Sequence, residues 1–193
     1  YTDYHLMTND KRIAKEARKV FQFIESPYKQ YIFKHLLVSP NTTRLGLEAL
    51  IDREIANAKV GKKAEFWVKI NSISDHGMIN KLYEASDAGV QVRMVVRGIC
   101  CLDMSHPKAR NISSVSIVGR FLEHTRAFCF HNDGNPQYYI SSADWMGRNL
   151  NRRVGKAGYR ENFEIFVKDV NNNSINSKDI KSYKPNLNGK SNN

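Results

Sequence analysis

Apolar residues recur along the chain at two periods, and the alternation between them sets the predicted elements. Residues 1–7 read as a strand, and Thr8, Asn9 and Asp10 offer N-cap oxygens to a helix whose Ile13, Ala17, Val20, Phe21 and Ile24 fall at helical spacing. Ser26 and Pro27 end it. A strand is expected over 32–38, then a hydroxyl-rich turn from Ser39 to Arg44, then a helix carrying Leu45, Leu47, Leu50, Ile51 and Ile55. The next strand is expected over 66–70. Asp75 caps a helix with Met78, Ile79, Leu82, Tyr83 and Ala85 that stops at Gly89, and another β-rich run covers 92–96. Further strands fit 115–118, 127–130 and 138–140, a helix with Asp144 as its cap fits 144–152, and residues 162–167 can form a last strand. Strands alternating with helices predict an α/β fold with a mixed, mostly parallel sheet and helices on both faces.

Composition narrows this picture. The chain has 193 residues, 41% hydrophobic and 25% charged, enough for one domain with a core of its own. Thirty Lys and Arg against nineteen Asp and Glu give a net charge of +11, which excludes an acidic tail or a calcium-binding module and favours polyanions as partners. Eight Asn with Ser, Lys and Gly set residues 171–193 apart as a tail expected to be disordered, leaving 1–170 as the folded domain. The tail carries +3 and the domain +8. No apolar run is long enough for a membrane span. Three cysteines, Cys100 beside Cys101 and Cys129 apart, give neither a disulfide framework nor zinc spacing, and are expected to be reduced and mostly buried. The start at Tyr1, without Met, reads as a piece of a longer protein.

Candidate chemistry concentrates between Arg97 and Arg153. Arg97 ends a buried strand with Gly98 behind it, at the sheet edge where α/β folds bind ligands. Arg120-Phe121-Leu122-Glu123-His124-Thr125-Arg126 holds an imidazole between two guanidiniums, and Tyr138-Tyr139-Ile140-Ser141-Ser142-Ala143-Asp144 runs from a strand into a Ser-Ser turn suited to phosphate oxygens. Each piece also has an ordinary structural explanation: a surface histidine, an ion pair, a helix cap. Together, His124-x-Arg126 followed by Ser141-Ser142-x-Asp144 resembles the His-x-Lys and Gly-Ser-x-Asn arrangement of the phospholipase D superfamily, in which one His attacks phosphorus and the His of a second copy protonates the leaving oxygen. Arg126 stands in place of that Lys, and His131 in place of the usual Asp.

A closer resemblance is carried by Tyr1-Thr2-Asp3, Val38-Ser39-Pro40, Asp52-Arg53-Glu54-Ile55-Ala56-Asn57-Ala58, Val96-Arg97-Gly98-Ile99-Cys100, Arg120-Phe121-Leu122-Glu123-His124-x-Arg126 and Ser141-Ser142-Ala143-Asp144-Trp145-Met146-x-Arg148-Asn149-Leu150-x-Arg152-Arg153-Val154. These resemble, in order over residues 1–154, the carboxyl-terminal region of the polyphosphate kinase family, which extends polyphosphate from ATP. The resemblance implies a phospholipase D-like domain, the second of a facing pair, in an ATP:polyphosphate phosphotransferase. It implies Tyr1 as a nucleotide contact, Arg97 as a phosphate contact and His124 as the second active-site His, acting as acid or base; Arg126, Ser141 and Ser142 are added as phosphate-binding candidates from their place in the motif. Lys69 and Asn71 are weaker candidates for the same groove. The family's phosphorylated His precedes the Tyr-Thr-Asp segment, so the chain alone is expected to be inactive. Mg2+, with ligands outside this segment, and ATP as substrate are implied as well. The implied partners are ATP or ADP, polyphosphate, the amino-terminal and first catalytic domains of the same chain, and further copies in a homo-oligomer. The implied location is cytoplasmic, with room for peripheral membrane contact. A phospholipase D-like phosphodiesterase or nuclease and a non-catalytic polyanion-binding module are the competing readings.

Overall fold

A computed structural model describes residues 4–151 and, as backbone, the strand Ile165–Lys168. The order is α1 (Lys11–Glu25), β1 (Leu36–Val38), α2 (Thr43–Lys59), β2 (Glu65–Ile70), α3 (His76–Asp87), β3 (Gln91–Val96), β4 (Ile112–Val115), β5 (Arg126–Phe130), β6 (Gln137–Ser141), α4 (Gly147–Asn151) and β7 (Ile165–Lys168). One sheet takes all seven strands in the order β1-β7-β6-β5-β2-β3-β4.

The α/β class with a mixed sheet stands, but its balance differs from the expected one. Only the β2–β3 and β3–β4 pairings are parallel; the other four are antiparallel. Strand–helix alternation holds through β3 and then stops. β5 and β6 are joined by the turn Asn132–Gly134, in which Asn132, Asp133 and Gly134 all take positive φ, and so short a link permits only a hairpin.

Alternation along the strands sorts the two faces. Phe66, Val68 and Ile70 of β2, Val92, Met94 and Val96 of β3, and Phe128 and Phe130 of β5 are buried in one core with Leu47, Ile51 and Ile55 of α2 and Met78, Ile79 and Leu82 of α3. On β1, Leu37 packs into that core, while Leu36 and Val38 point the other way and form a second cluster with Ile13, Val20 and Phe23 of α1. Helices therefore lie on both faces, α1 only at the β1 edge. The face opposite α2 and α3 carries Trp67, 49% exposed, with the Arg93 guanidinium 5.0 Å from its ring centroid.

Local chemistry explains several boundaries. Asp10 caps α1, its carboxylate accepting the Arg12 amide at 2.7 Å, and Asp75 caps α3 by accepting from Met78 at 3.0 Å. Gly89, at φ +95°, turns the chain from α3 towards β3, a conformation that costs glycine little. Glu16 is buried and accepts the amides of Lys34, His35 and Leu36, which latches α1 to the start of β1.

Some expectations are corrected. Residues 4–7 are exposed and pair with no strand among the described residues, while residues 1–3 of the expected strand lie outside them. β1 is three residues long because 32–35 approach the sheet without joining it. β4 lies at 112–115, not 115–118: the parallel register pairs Val92 with Ile112 and Val95 with Val115, leaving Ile117 and Val118 exposed beyond the end of β3. Cys100 and Cys101 are exposed and Cys129 is half-buried, because the first two follow the end of β3 in a surface loop. The predicted tail falls outside the described residues. Among the described residues no helix is long and apolar enough to cross a membrane.

Candidate functional site

The parallel strands β2 and β3 end side by side, Ile70 opposite Val96, and release Asn71 and Arg97 at the same edge. β5 is antiparallel to β2, so it begins where β2 ends; Lys69 pairs with Ala127, and residues 124–126 lie beside the exit of β2. β6 finishes there too, with Ser141 opposite Arg126. Segments remote in sequence thus bring Asn71, Arg97, His124, Arg126 and Ser141 to one sheet edge. Tyr1, Arg152 and Arg153 lie outside the described residues.

Arg126 and Asp144 form the buried centre of this edge, 7% and 5% exposed. Arg126 Nε donates to Asp144 Oδ1 at 3.1 Å and Nη2 to Oδ2 at 3.0 Å, a two-point pair. Arg126 Nη1 donates to the His124 carbonyl at 2.9 Å and lies 2.9 Å from His124 Nε2. Asp144 Oδ1 also accepts the amides of Asn71, at 2.8 Å, and Ser72, at 3.0 Å. Burial alone would raise the Asp144 carboxyl, but the Arg126 hydrogen bonds and charge and these two amides outweigh it and hold it below the ordinary value.

Asp144 is therefore no helix cap. α4 begins at Gly147, and the carboxylate instead caps the turn after β2. The residues from Ala143 to Trp145 run in extended contact with that turn: Trp145 donates to the Ser72 carbonyl at 3.1 Å, and Ile73 bridges both Trp145 and Cys100 in parallel fashion. Trp145 is wholly buried, stacked on Phe128 with ring centroids 5.6 Å apart. The Ala143 amide donates to Ser141 Oγ at 2.8 Å. The backbone amides of Ala143 and Trp145 are thus used internally, and Ser142 is exposed at the rim.

Arg97 is half-buried, and among the described residues its Nε has no hydrogen-bond partner although it is shielded from solvent. Asn71 Oδ1 is in the same condition. A buried donor left unsatisfied costs about 1–3 kcal/mol, a cost that an anionic acceptor would remove. Gly98, behind Arg97, allows the backbones to meet: its amide donates to the Asn71 carbonyl at 2.6 Å, and an added Cβ would lie 3.0 Å from that oxygen. Lys69 is held against the segment that carries His124: its ammonium pairs with Glu123 at 3.3 Å and donates to the Thr125 carbonyl at 3.2 Å.

Sequence reasoning missed a second charged brace. Arg44 on α2 donates to Asp75 at 2.6 Å and to Asn151 Oδ1 at 2.7 Å, tying α2 to the start of α3 and to α4. Burial would raise Asp75, but Arg44 and the Met78 amide hold it below the usual carboxylate value. The Asp75 cap was legible; nothing in the sequence marked Arg44, thirty-one positions away, as its partner.

A family model described as polyphosphate kinase C-terminal domain 2 matches residues 36–182. The chain belongs to that family. As a polyphosphate kinase domain it is 51% identical over 155 residues to the polyphosphate kinase of Vibrio parahaemolyticus and 46% identical over the same length to that of Escherichia coli. In both cases the match takes in 80% of this chain and 22% of the relative, so the chain spans about a fifth of those relatives' length. The crystal structure of polyphosphate kinase from Porphyromonas gingivalis superposes on 86% of this chain and 24% of its own, with a TM-score of 0.77 and 37% identity. Among the described residues no three His, Cys, Asp or Glu side chains are grouped so as to hold a metal ion.

Proposed function

We propose that this domain forms one wall of the active site of an ATP:polyphosphate phosphotransferase. His124 serves as acid or base opposite a phosphohistidine carried by another part of the parent chain, and Arg97 receives phosphate oxygens. The observation that carries this reading is the placing of His124 and Arg97 at one sheet edge, with the Arg97 Nε donor unpartnered among the described residues. A guanidinium and an imidazole presented at the same sheet edge are suited to phosphoryl transfer: one neutralises charge on the equatorial oxygens while the other handles the proton of the attacking or leaving oxygen. Ser141 and Ser142 stand at the rim of the same edge, within the motif that the resemblance links to phosphate, and Tyr1 is assigned the nucleotide contact on the resemblance alone. Arg126, engaged by Asp144, supports the site from beneath.

The test uses the parent enzyme. His124→Ala is expected to retain the fold and to lower polyphosphate synthesis by roughly 10²–10⁴; near-normal turnover overturns the role. With labelled ATP, this chain alone should acquire no phosphohistidine while the parent does. Label on the chain would sink the claim that the nucleophile lies elsewhere, and hydrolysis of a nitrophenyl phosphodiester by the chain would favour a phosphodiesterase instead.

A further inference from the structure

Two cationic side chains from different strands take hold of the backbone at His124. Arg126 Nη1 donates to the His124 carbonyl at 2.9 Å, and the Lys69 ammonium donates to the next carbonyl, that of Thr125, at 3.2 Å. Lys69 also pairs with the Glu123 carboxylate at 3.3 Å, so its contacts fall on the residues directly before and after His124. Strand geometry makes this reach possible. Phe66, Val68 and Ile70 point into the core, which puts Lys69 on the opposite face of β2, and its antiparallel partner Ala127 stands two residues from Thr125. The link from β4 to β5 is exposed through Phe121, half-buried from Leu122 to His124 and buried at Thr125, so the ammonium grips it where it turns inward.

We propose that Lys69 is a positioning residue for His124: it clamps the segment on both sides of the histidine and does not itself bind the phosphate chain. The role rests on the reading of His124 as acid or base given above. An ammonium has three donors and no acceptor, and two oxygens of the protein itself lie within its reach. Proton transfer needs heavy atoms within about 2.6–3.2 Å, and a misplacement of about 1 Å can cost about 10²-fold in rate. A clamp on the flanking residues restricts where the imidazole stands without touching the substrate. The ion pair is partly exposed, 26% for the Lys69 side chain and 34% for Glu123, so its contribution to stability is small. Its effect is expected on turnover rather than on folding.

The test is made in the parent enzyme. Lys69→Met is expected to lower kcat roughly tenfold or more with KM for polyphosphate unchanged. A raised KM with kcat kept would make Lys69 a direct ligand and overturns the proposal, as does an unchanged kcat. A merely structural loss is separated by combining the change with His124→Ala. A clamp that acts through His124 leaves the residual rate of that variant unaltered, whereas a further drop of about tenfold overturns it. Glu123→Gln, which keeps the Thr125 contact, should give a smaller loss of kcat in the same direction. Should Lys69→Met fail to fold, Glu123→Gln decides, and an unchanged kcat there overturns the clamp. In the 15N-labelled chain, Lys69→Met should move the amide resonances of His124 and Thr125, and unmoved signals in a folded variant overturn the proposal too. Near-normal turnover in His124→Ala alone would sink the reading of His124, while the resonances still report on the clamp, so the two failures are told apart.

Discussion

Asp144 reaches across the sheet edge to grip Arg126, eighteen residues earlier in the chain, through both carboxylate oxygens, while the same carboxylate holds the amides of Asn71 and Ser72. Asp144→Ala leaves a buried guanidinium and two amides without their acceptor. The expected loss is about 3–5 kcal/mol, read as a lower midpoint in urea unfolding. A paired Arg126→Met, Asp144→Leu variant should recover only part of it, since the turn amides stay uncapped; full recovery would show that the turn does not depend on this carboxylate.

Acid should weaken the fold through two identified groups. Asp144 and Asp75 both have folded-state values held below the ordinary one, so each contributes stability that is fully present above the unfolded value of about 3.9 and is lost as pH falls through the folded value. The thermal midpoint is expected to change little through these groups between about pH 7 and 5 and to drop below about pH 4. Asp144→Asn should give a lower midpoint and a shallower acid limb.

Glu16 joins α1 to the rest of the molecule by a charge rather than by area alone. Glu16→Ala leaves the amides of Lys34, His35 and Leu36 without their acceptor, at a cost of about 1–3 kcal/mol. Hydrogen exchange should quicken in α1 and at Leu36 and Val38 while β2 and β3 keep their protection. Uniform quickening would mean that α1 and the main core unfold as one unit.

Gly98→Ala is expected to cost about 1–3 kcal/mol, because the nearest atom to the new methyl is a backbone carbonyl that cannot rotate away. Gly119→Ala, where nothing lies within 4 Å, serves as the control and should stay within about 0.5 kcal/mol. Equal effects at the two sites would discount the close approach of Arg97's neighbour to Asn71.

What the sequence disclosed follows from which interactions are local. α1, α2 and α3 were readable because periodicity and capping act within a few residues, and Asp10 and Asp75 cap where expected. The placing of Arg97 at a strand end was readable for the same reason. Register was not: β4 sits three residues earlier than its apolar run suggested, because pairing with Val92 selects Ile112. The antiparallel half of the sheet was missed because alternation of strands and helices was extended past Val115, where no helix intervenes. Asp144 was misread because an Asp before a helix looks the same whether it caps that helix or reaches to Asn71, and only the fold distinguishes the two.

Backbone hydrogen bonds cross-link the loops behind this edge. Ile73 donates to Ile99 and accepts from Cys101, Trp145 donates to Ser72, and Ser74 and Asp75 donate to Trp145. Loops after three different strands therefore share one hydrogen-bonded seam. Grafting any one of them from a relative would break donors and acceptors belonging to the other two, so specificity at this edge is exchangeable only as a block of three loops, or residue by residue at the side chains that project from it.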